Sequence, residues 1–271
     1  LRHKPLAALA ALIAATALTS TAAIEPSSAA PRSSVHYVAL GDSFSSGSGA
    51  GDNDMSNYCR RSPNSYPALW AREHHPESFH YAACGGAVTG DVRAEQVAAL
   101  DRDTTLVTIT IGGNDADFEG VILGCILQPV NAEKCDAALD HSESVIHHEL
   151  PQRLADTYRD IRAHAPHARV VVADYPHLFD ATTVCLAATK PRRERMNKMA
   201  DDADAVIERQ AHAAGFHFAD VRGAFRGHEV CNPGGLANEW ILRIKNDWES
   251  YHPTATGQRH GYLPPVSEAI G

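Results

Sequence analysis

An apolar run, Val35 to Leu40, ends at Gly41 and at once presents Asp42 and the hydroxyl of Ser43, followed by small residues through Gly49. A serine attacks a carbonyl at neutral pH only if a neighbouring base takes its proton. The histidine suited to that task lies far downstream: His252, in the stretch Ser250-Tyr251-His252-Pro253-Thr254. Glu249, three residues before it, could accept the imidazole Nδ1–H and leave Nε2 as the base. Asp247 and the backbone carbonyls of Trp248 to Ser250 compete for the same contact. Acyl transfer also needs donors aimed at the developing oxyanion. The Ser43 N–H is one, the Gly85-Gly86 loop can bring another close because no Cβ intervenes, and the Asn114 amide is a third. Taken singly, Ser43 is a helix cap and Asn114 a turn or cap residue; only the set points to nucleophilic catalysis.

These residues need a frame that brings them together. Five short β-like runs recur, at Val35 to Leu40, Phe79 to Ala83, Leu106 to Ile111, Arg169 to Ala173 and Phe216 to Asp220. Helical spacing separates them: Ser65 to His75, Asp91 to Leu100, Asp136 to His164 with a kink at Pro151, and Arg192 to Ala214. Thr254 to Ala269 closes the chain, interrupted by Pro264-Pro265. Alternation of this kind, with nearly continuous apolar strands such as Val170 to Ala173, predicts a doubly wound α/β fold: three layers, α/β/α, around a five-stranded parallel sheet. Loops at the carboxyl ends of such strands converge on one rim. Ser43, the Gly85-Gly86 pair and the Gly112-Gly113-Asn114-Asp115 loop follow the first, second and third strands, so all three loops face one crevice. The loop Asp174-Tyr175-Pro176-His177 lies on the same rim and reads as a turn. From Gly223 to Tyr251 the pattern is lost, and the segment reads equally as a lid or as a small satellite core pinned by Cys231.

The first residues differ from the rest. A basic start, Leu1 to Pro5, an apolar run from Leu6 to Leu18 and small residues through Ala30 read as a secretory signal peptide, too short to span a bilayer comfortably. About 240 residues remain, from 31 to 271, enough for one large domain. The charge balance is 24 basic to 33 acidic residues, a net of −9, with no block of one sign, which argues against nucleic acid or an anionic membrane as partner. All six cysteines, Cys59, Cys84, Cys125, Cys135, Cys185 and Cys231, fall after the leader, and in an exported chain that favours disulfides. Several pairings are open; neighbours in sequence order, Cys59 with Cys84, Cys125 with Cys135 and Cys185 with Cys231, are the working choice. With no Cys-x-x-Cys pair, a zinc site of that type is disfavoured.

Four segments together resemble the ordered blocks of the SGNH (GDSL-type) hydrolases. These are Gly41-Asp42-Ser43 with Ser45 to Gly49, Cys84 to Thr89, Gly112-Gly113-Asn114-Asp115, and His252 to Gly257. The likeness is greatest to the secreted three-disulfide lipases and esterases of actinomycetes, and it runs from Val35 to Gly257. It implies Ser43 as nucleophile, Gly86 and Asn114 as further oxyanion donors and His252 as base, on a flavodoxin-like sheet, and an arrangement of disulfides like the working choice. Two positions depart from the family pattern. Glu249 stands where an Asp is usual, and some relatives use a main-chain carbonyl instead; Gly85 stands where Ser is common.

Other motifs are incomplete. Gly41 to Gly51 lacks the Lys-Ser/Thr of a phosphate loop, His148-Glu149 lacks the second histidine of a zincin, and no Gly-x-Ser-x-Gly surrounds Ser43. The expectation is therefore a secreted, monomeric serine esterase or lipase without cofactor or membrane anchor, acting on small-molecule or lipid esters. Trp240, Ile241, Leu242 and Trp248 are the expected walls of an acyl groove. A carbohydrate acetyl-esterase on the same scaffold and a catalytically inactive secreted binding module are the alternatives.

Overall fold

A computed structural model of the chain describes Leu1 and residues 34–127, 132–245 and 248–271. The expected signal segment, Leu1 apart, lies outside the described residues, as does Asp247. Ser34–Gly271 forms one compact unit.

The chain runs β1 (His36–Gly41), α1 (Ser43–Ser46), α2 (Tyr66–His74), β2 (Ser78–Tyr81), α3 (Thr89–Ala94), β3 (Leu106–Thr110) and α4 (Phe118–Ile122). It continues with α5 (Ala132–His148), α6 (Leu150–His164), β4 (Arg169–Ala173), α7 (Lys190–Ala213), β5 (His217–Ala219), α8 (Arg222–Phe225) and α9 (Leu263–Ile270). The five strands are all parallel, in the order β2-β1-β3-β4-β5. This is the doubly wound α/β arrangement read from the alternating pattern. The apolar character of the inner strands has its cause here: every residue of β3 is buried, and so are Val170 to Ala173 of β4. Helices flank the sheet, with α2 and α9 packed together and α3, α5, α6 and α7 forming a second packed set.

Two helical boundaries differ from the periodicity. The stretch expected as one kinked helix is two, α5 and α6, broken at Glu149, with Pro151 in the first turn of α6. Proline lacks the N–H that a helix interior uses, but a first turn leaves that N–H unpaired anyway. Pro264 and Pro265 likewise open α9, after a wider helical turn at Gly257–Tyr262, rather than interrupting a helix from Thr254.

Strand order reverses between β1 and β3: the chain leaves β1 for one neighbour, β2, and returns for the other, β3. A crevice opens outside the carboxyl ends of strands at such a switch point. The loops after β1 and β3, which carry Ser43 and Asn114, stand on its two sides.

Candidate active site

The first loop is shaped by Gly41. Its φ is +119°, and a Cβ there would meet the Thr110 carbonyl oxygen at 2.4 Å, so only glycine lets β1 turn so close beside β3. The Gln96 amide holds both backbone groups of Gly41, accepting from its N–H at 2.7 Å and donating to its carbonyl at 2.9 Å. Asp42 then caps α1: its Oδ1 accepts from the Phe44 N–H at 2.9 Å. Ser43 is the first residue of that short helix. Its N–H therefore has no intrahelical partner, and it makes no hydrogen bond among the described residues.

His252 meets it from the far end of the chain. The Ser43 Oγ lies 2.7 Å from His252 Nε2, and His252 Nδ1 lies 3.0 Å from the Ser250 carbonyl oxygen. A carbonyl can only accept, so Nδ1 carries the proton, and Nε2 is left to accept from the serine hydroxyl. Desolvation pushes the imidazole down to about 4, against the opposing pull of the Ser250 and Glu249 carbonyls and the Glu249 charge. The ring is neutral at pH 7, the form a general base requires.

Glu249 does not take the expected place at Nδ1. Its carboxylate receives Lys245 Nζ at 2.7 Å, and its backbone carbonyl accepts the His252 N–H at 3.3 Å. Of the candidates the sequence left open, the turn brings the Ser250 carbonyl, two residues before the histidine, to Nδ1.

Two more loops carry the other residues expected to act as donors, and both line the cavity with Ser43. Gly86 sits in the left-handed region at φ +79°, is exposed, and its N–H makes no hydrogen bond among the described residues. Asn114 Nδ2 donates to the Ala87 carbonyl at 2.9 Å, which fixes the amide plane while one N–H remains to point elsewhere. Asp115 ties the same two loops together, accepting from the Thr89 N–H at 2.9 Å and the Thr89 hydroxyl at 2.6 Å. Disulfide Cys59–Cys84 anchors the base of the Gly86 loop; Cys125–Cys135 and Cys185–Cys231 are the other two bridges.

One further residue of this cavity has no catalytic signature in the sequence. Tyr175, placed in what read as a plain turn, accepts the Gly113 N–H at 2.9 Å and donates its hydroxyl to Asp42 Oδ2. Its ring meets Phe44 edge-on at 4.9 Å, and Phe44 in turn lies 5.1 Å from the His252 ring. Burial raises Asp42 to about 7, although the bonds from Tyr175 and Phe44 pull the other way. The spacing of Tyr175 carried no catalytic pattern; its only signal was a polar aromatic at the carboxyl end of an apolar strand.

A cavity of about 480 Å³ contains Ser43, Gly86, Asn114 and His252. Its apolar wall runs under α4 between α5 and α7, through Phe118, Ile122, Ile146, Met196 and Met199. Of the four residues expected to form an acyl groove, only Trp248 lines it. Trp240 instead stacks on His228 at 3.6 Å, and Ile241 is buried beside Pro253. Leu242 brackets the base, donating its N–H to the His252 carbonyl at 2.9 Å and accepting from Tyr251 at 3.0 Å. That irregular segment therefore does two things: Trp240, Ile241 and Leu242 pack or bond beneath the histidine loop, while Ile244 and Trp248 line the cavity.

A model of the GDSL-like lipase/acylhydrolase family matches residues 39–260, most of the chain. The chain belongs to that family. It is 40% identical to Lipase 1 of Streptomyces coelicolor over 264 residues, covering 96% of both chains. Among solved structures it is similar to phospholipase A1 from Streptomyces albidoflavus, at a TM-score of 0.82 and 42% identity, covering 87% of this chain and 99% of that one. The extracellular lipase of Streptomyces rimosus matches at a TM-score of 0.82 and 43% identity, covering 87% of this chain and all of the other. The family's GDSL segment corresponds here to Gly41, Asp42, Ser43 and Phe44, with an aromatic residue in the last place.

Proposed function

We propose that the protein is a secreted lipase or esterase that cleaves carboxylic esters through an acyl-enzyme. The observation that carries this reading is the 2.7 Å contact between Ser43 Oγ and a neutral His252 held by the Ser250 carbonyl, at the floor of an apolar cavity. Ser43 attacks the ester carbonyl while Nε2 takes its proton. The oxyanion is received by the N–H groups of Ser43 and Gly86 and by the free N–H of Asn114. His252 then passes the proton to the departing alcohol. Water, deprotonated by the same nitrogen, attacks the acyl-serine, and the collapse of the second tetrahedral intermediate releases the acid and restores Ser43. The imidazolium formed in each half is stabilised by the Ser250 carbonyl and by the Glu249 charge nearby.

The apolar wall under α4 supports an acyl chain as the group taken inward, and so esters of lipids as the substrate class. Residues 1–30 are read as the export signal and 31–271 as one hydrolase domain that acts as a monomer, with no part for nucleic acid. No helix among the described residues is long and apolar enough to cross a membrane. The test is an ester panel, from acetyl through octanoyl to palmitoyl, on wild type and Ser43→Ala, with acetylated polysaccharide alongside. Turnover retained by folded Ser43→Ala would overturn the mechanism. A maximum at acetyl with release of acetate from polysaccharide would replace the lipid reading with that of a carbohydrate esterase.

A further inference from the structure

Two adjacent arginines after Cys59 do different things. Arg61 is structural: its guanidinium donates to the carbonyls of Ala83 and Ala82 at 2.8 and 3.4 Å. Arg60 is not. Its guanidinium lies over the Trp248 ring at 4.7 Å and forms no hydrogen bond or ion pair among the described residues. It lines the same cavity as Ser43, and of all the lysines and arginines described it alone does so.

Its position is built. Arg60 has φ +50°, its carbonyl accepts from Asn53 Nδ2 at 2.6 Å, and the preceding carbonyl, of Cys59, accepts the Gly85 N–H at 3.1 Å. The arginine is therefore fastened through the backbone to the loop that presents the Gly86 N–H. A planar guanidinium stacked on an aromatic face loses little further freedom when it forms paired hydrogen bonds to an anion. The apolar wall at Phe118, Ile122 and Met199 suits only the acyl side of an ester. Arg60, beside Tyr58 and Trp248, is left for the alcohol side.

From this we infer that Arg60 forms a subsite for an anionic group on the leaving alcohol, a phosphodiester or a carboxylate. The inference rests on the ester-hydrolase reading of Ser43 and deepens it by naming a substrate class. Glu119 is the exposed acidic residue on the same cavity, and it disfavours an anion placed on its side. The chain's net charge of −9 provides no general attraction for anions, so any preference must be local to Arg60.

Two matched ester pairs test it. Dioctanoylphosphatidylmethanol against dioctanoylglycerol isolates a lipid phosphodiester; 4-octanoyloxybenzoate against 4-octanoyloxybenzamide isolates a soluble carboxylate. Wild type should favour the anionic member, and Arg60→Gln should lower the anionic-to-neutral ratio of kcat/KM by about tenfold. Arg60→Lys, which keeps charge but not the planar fork, should fall between them. The wild-type ratio should decline with added salt and that of Arg60→Gln should not. A response in the phosphate pair alone identifies a lipid headgroup, and one in the benzoate pair alone a soluble acid. Hydrolysis of all four esters with a ratio unmoved by Arg60→Gln overturns the subsite alone. Inertness of wild type toward all four overturns the ester reading and the subsite with it.

Discussion

Tyr175 and Asp42, 133 positions apart in the chain, share a buried hydrogen bond that joins the loop after β4 to the cap of the nucleophile's helix. The same hydroxyl receives the Gly113 N–H, one residue before Asn114. One phenol therefore ties the turn before Ser43 to the turn before Asn114, two of the residues proposed to receive the oxyanion. Its own loop is held by buried carboxylates: Asp204 accepts the Tyr175 N–H at 3.1 Å and Asp174 accepts the Val221 N–H at 2.7 Å.

Tyr175→Phe keeps the ring against Phe44 but leaves the Gly113 N–H and one Asp42 oxygen without that partner. It should lower kcat about tenfold with a smaller change in KM, since the donors matter most in the transition state. Stability should fall by about 1–2 kcal/mol. Steady-state kinetics and thermal unfolding on the same preparation separate the two effects. A stability loss with kcat intact would make Tyr175 merely structural.

Glu249→Gln addresses what orients His252. With the Ser250 carbonyl at Nδ1, the variant should lose less than about tenfold in kcat, whereas removal of a true third triad carboxylate costs on the order of 10⁴-fold. The Glu249 charge raises the imidazole pKa. Its loss should therefore displace the acid limb of the pH–rate profile to lower pH. A limb that stays in place, or a loss of the triad size, would contradict this geometry.

Acid sensitivity follows from the same ring. His252 is drawn from its ordinary 6.5 down to about 4 by desolvation, so kcat/KM should hold below pH 6.5 and fall only as pH drops through about 4, where Nε2 becomes protonated. The sign for stability agrees. The unfolded chain binds this proton more readily than the folded one, so the contribution is complete above 6.5 and is lost as pH falls toward about 4. Asp42 acts in the opposite sense. Burial raises it from 3.8 to about 7, so its contribution is complete below 3.8 and is lost as pH rises through about 7. Unfolding curves of wild type and Asp42→Asn across pH 4 to 8 should converge at the acid end and part at the alkaline end.

The sheet was legible because Val170 to Ala173 of β4 is apolar on both faces and β3 is largely so, and a parallel sheet covered by helices is the arrangement that buries both. Ser43, His252, Gly86 and Asn114 were legible as types and spacings, and the structure brings all four to one cavity. The partner of Nδ1 was legible only as a set of candidates, Glu249, Asp247 and the carbonyls of Trp248 to Ser250, because a backbone acceptor has no residue-type signature and only the geometry of the turn chooses the Ser250 carbonyl. Tyr175 was hidden because its partner stands 133 residues away. The acyl wall was misplaced for a related reason: Trp240 and Ile241 are as apolar as Met196 and Met199, and only packing decides which pair faces the cavity. The same apolar pattern that marks a groove also marks the underside of a loop.

The Cys59–Cys84 bridge closes a 25-residue separation and holds the loop that carries both Arg60 and the approach to Gly86. Loop-closure entropy gives it about 3 kcal/mol of stabilisation. Cys59→Ser with Cys84→Ser should lose about that much and, in protein that remains folded, should also lower kcat, because the Gly86 N–H is no longer pinned. The Cys125–Cys135 bridge spans 10 residues near α4 and α5; its removal should cost less stability and change acyl-chain preference more than kcat. Denaturant titration with kinetics on both double variants distinguishes the two roles.

Acyl selectivity should follow the cavity wall. Each methylene that leaves water for the surface formed by Phe118, Ile122, Met196 and Met199 gains up to ~0.8 kcal/mol, so kcat/KM should rise by no more than about fourfold per carbon from acetyl upward until the space under α4 is filled. Met199 is buried and lines that wall from α7. Met199→Trp adds bulk there and should move the optimum to a shorter chain, while Met199→Ala should move it to a longer one. The opposed shifts matter more than either alone, since a general loss of packing would lower activity on every chain length together. A panel of p-nitrophenyl esters from two to sixteen carbons on the three proteins reads the shift directly, and an optimum common to all three would place the acyl chain elsewhere on the rim.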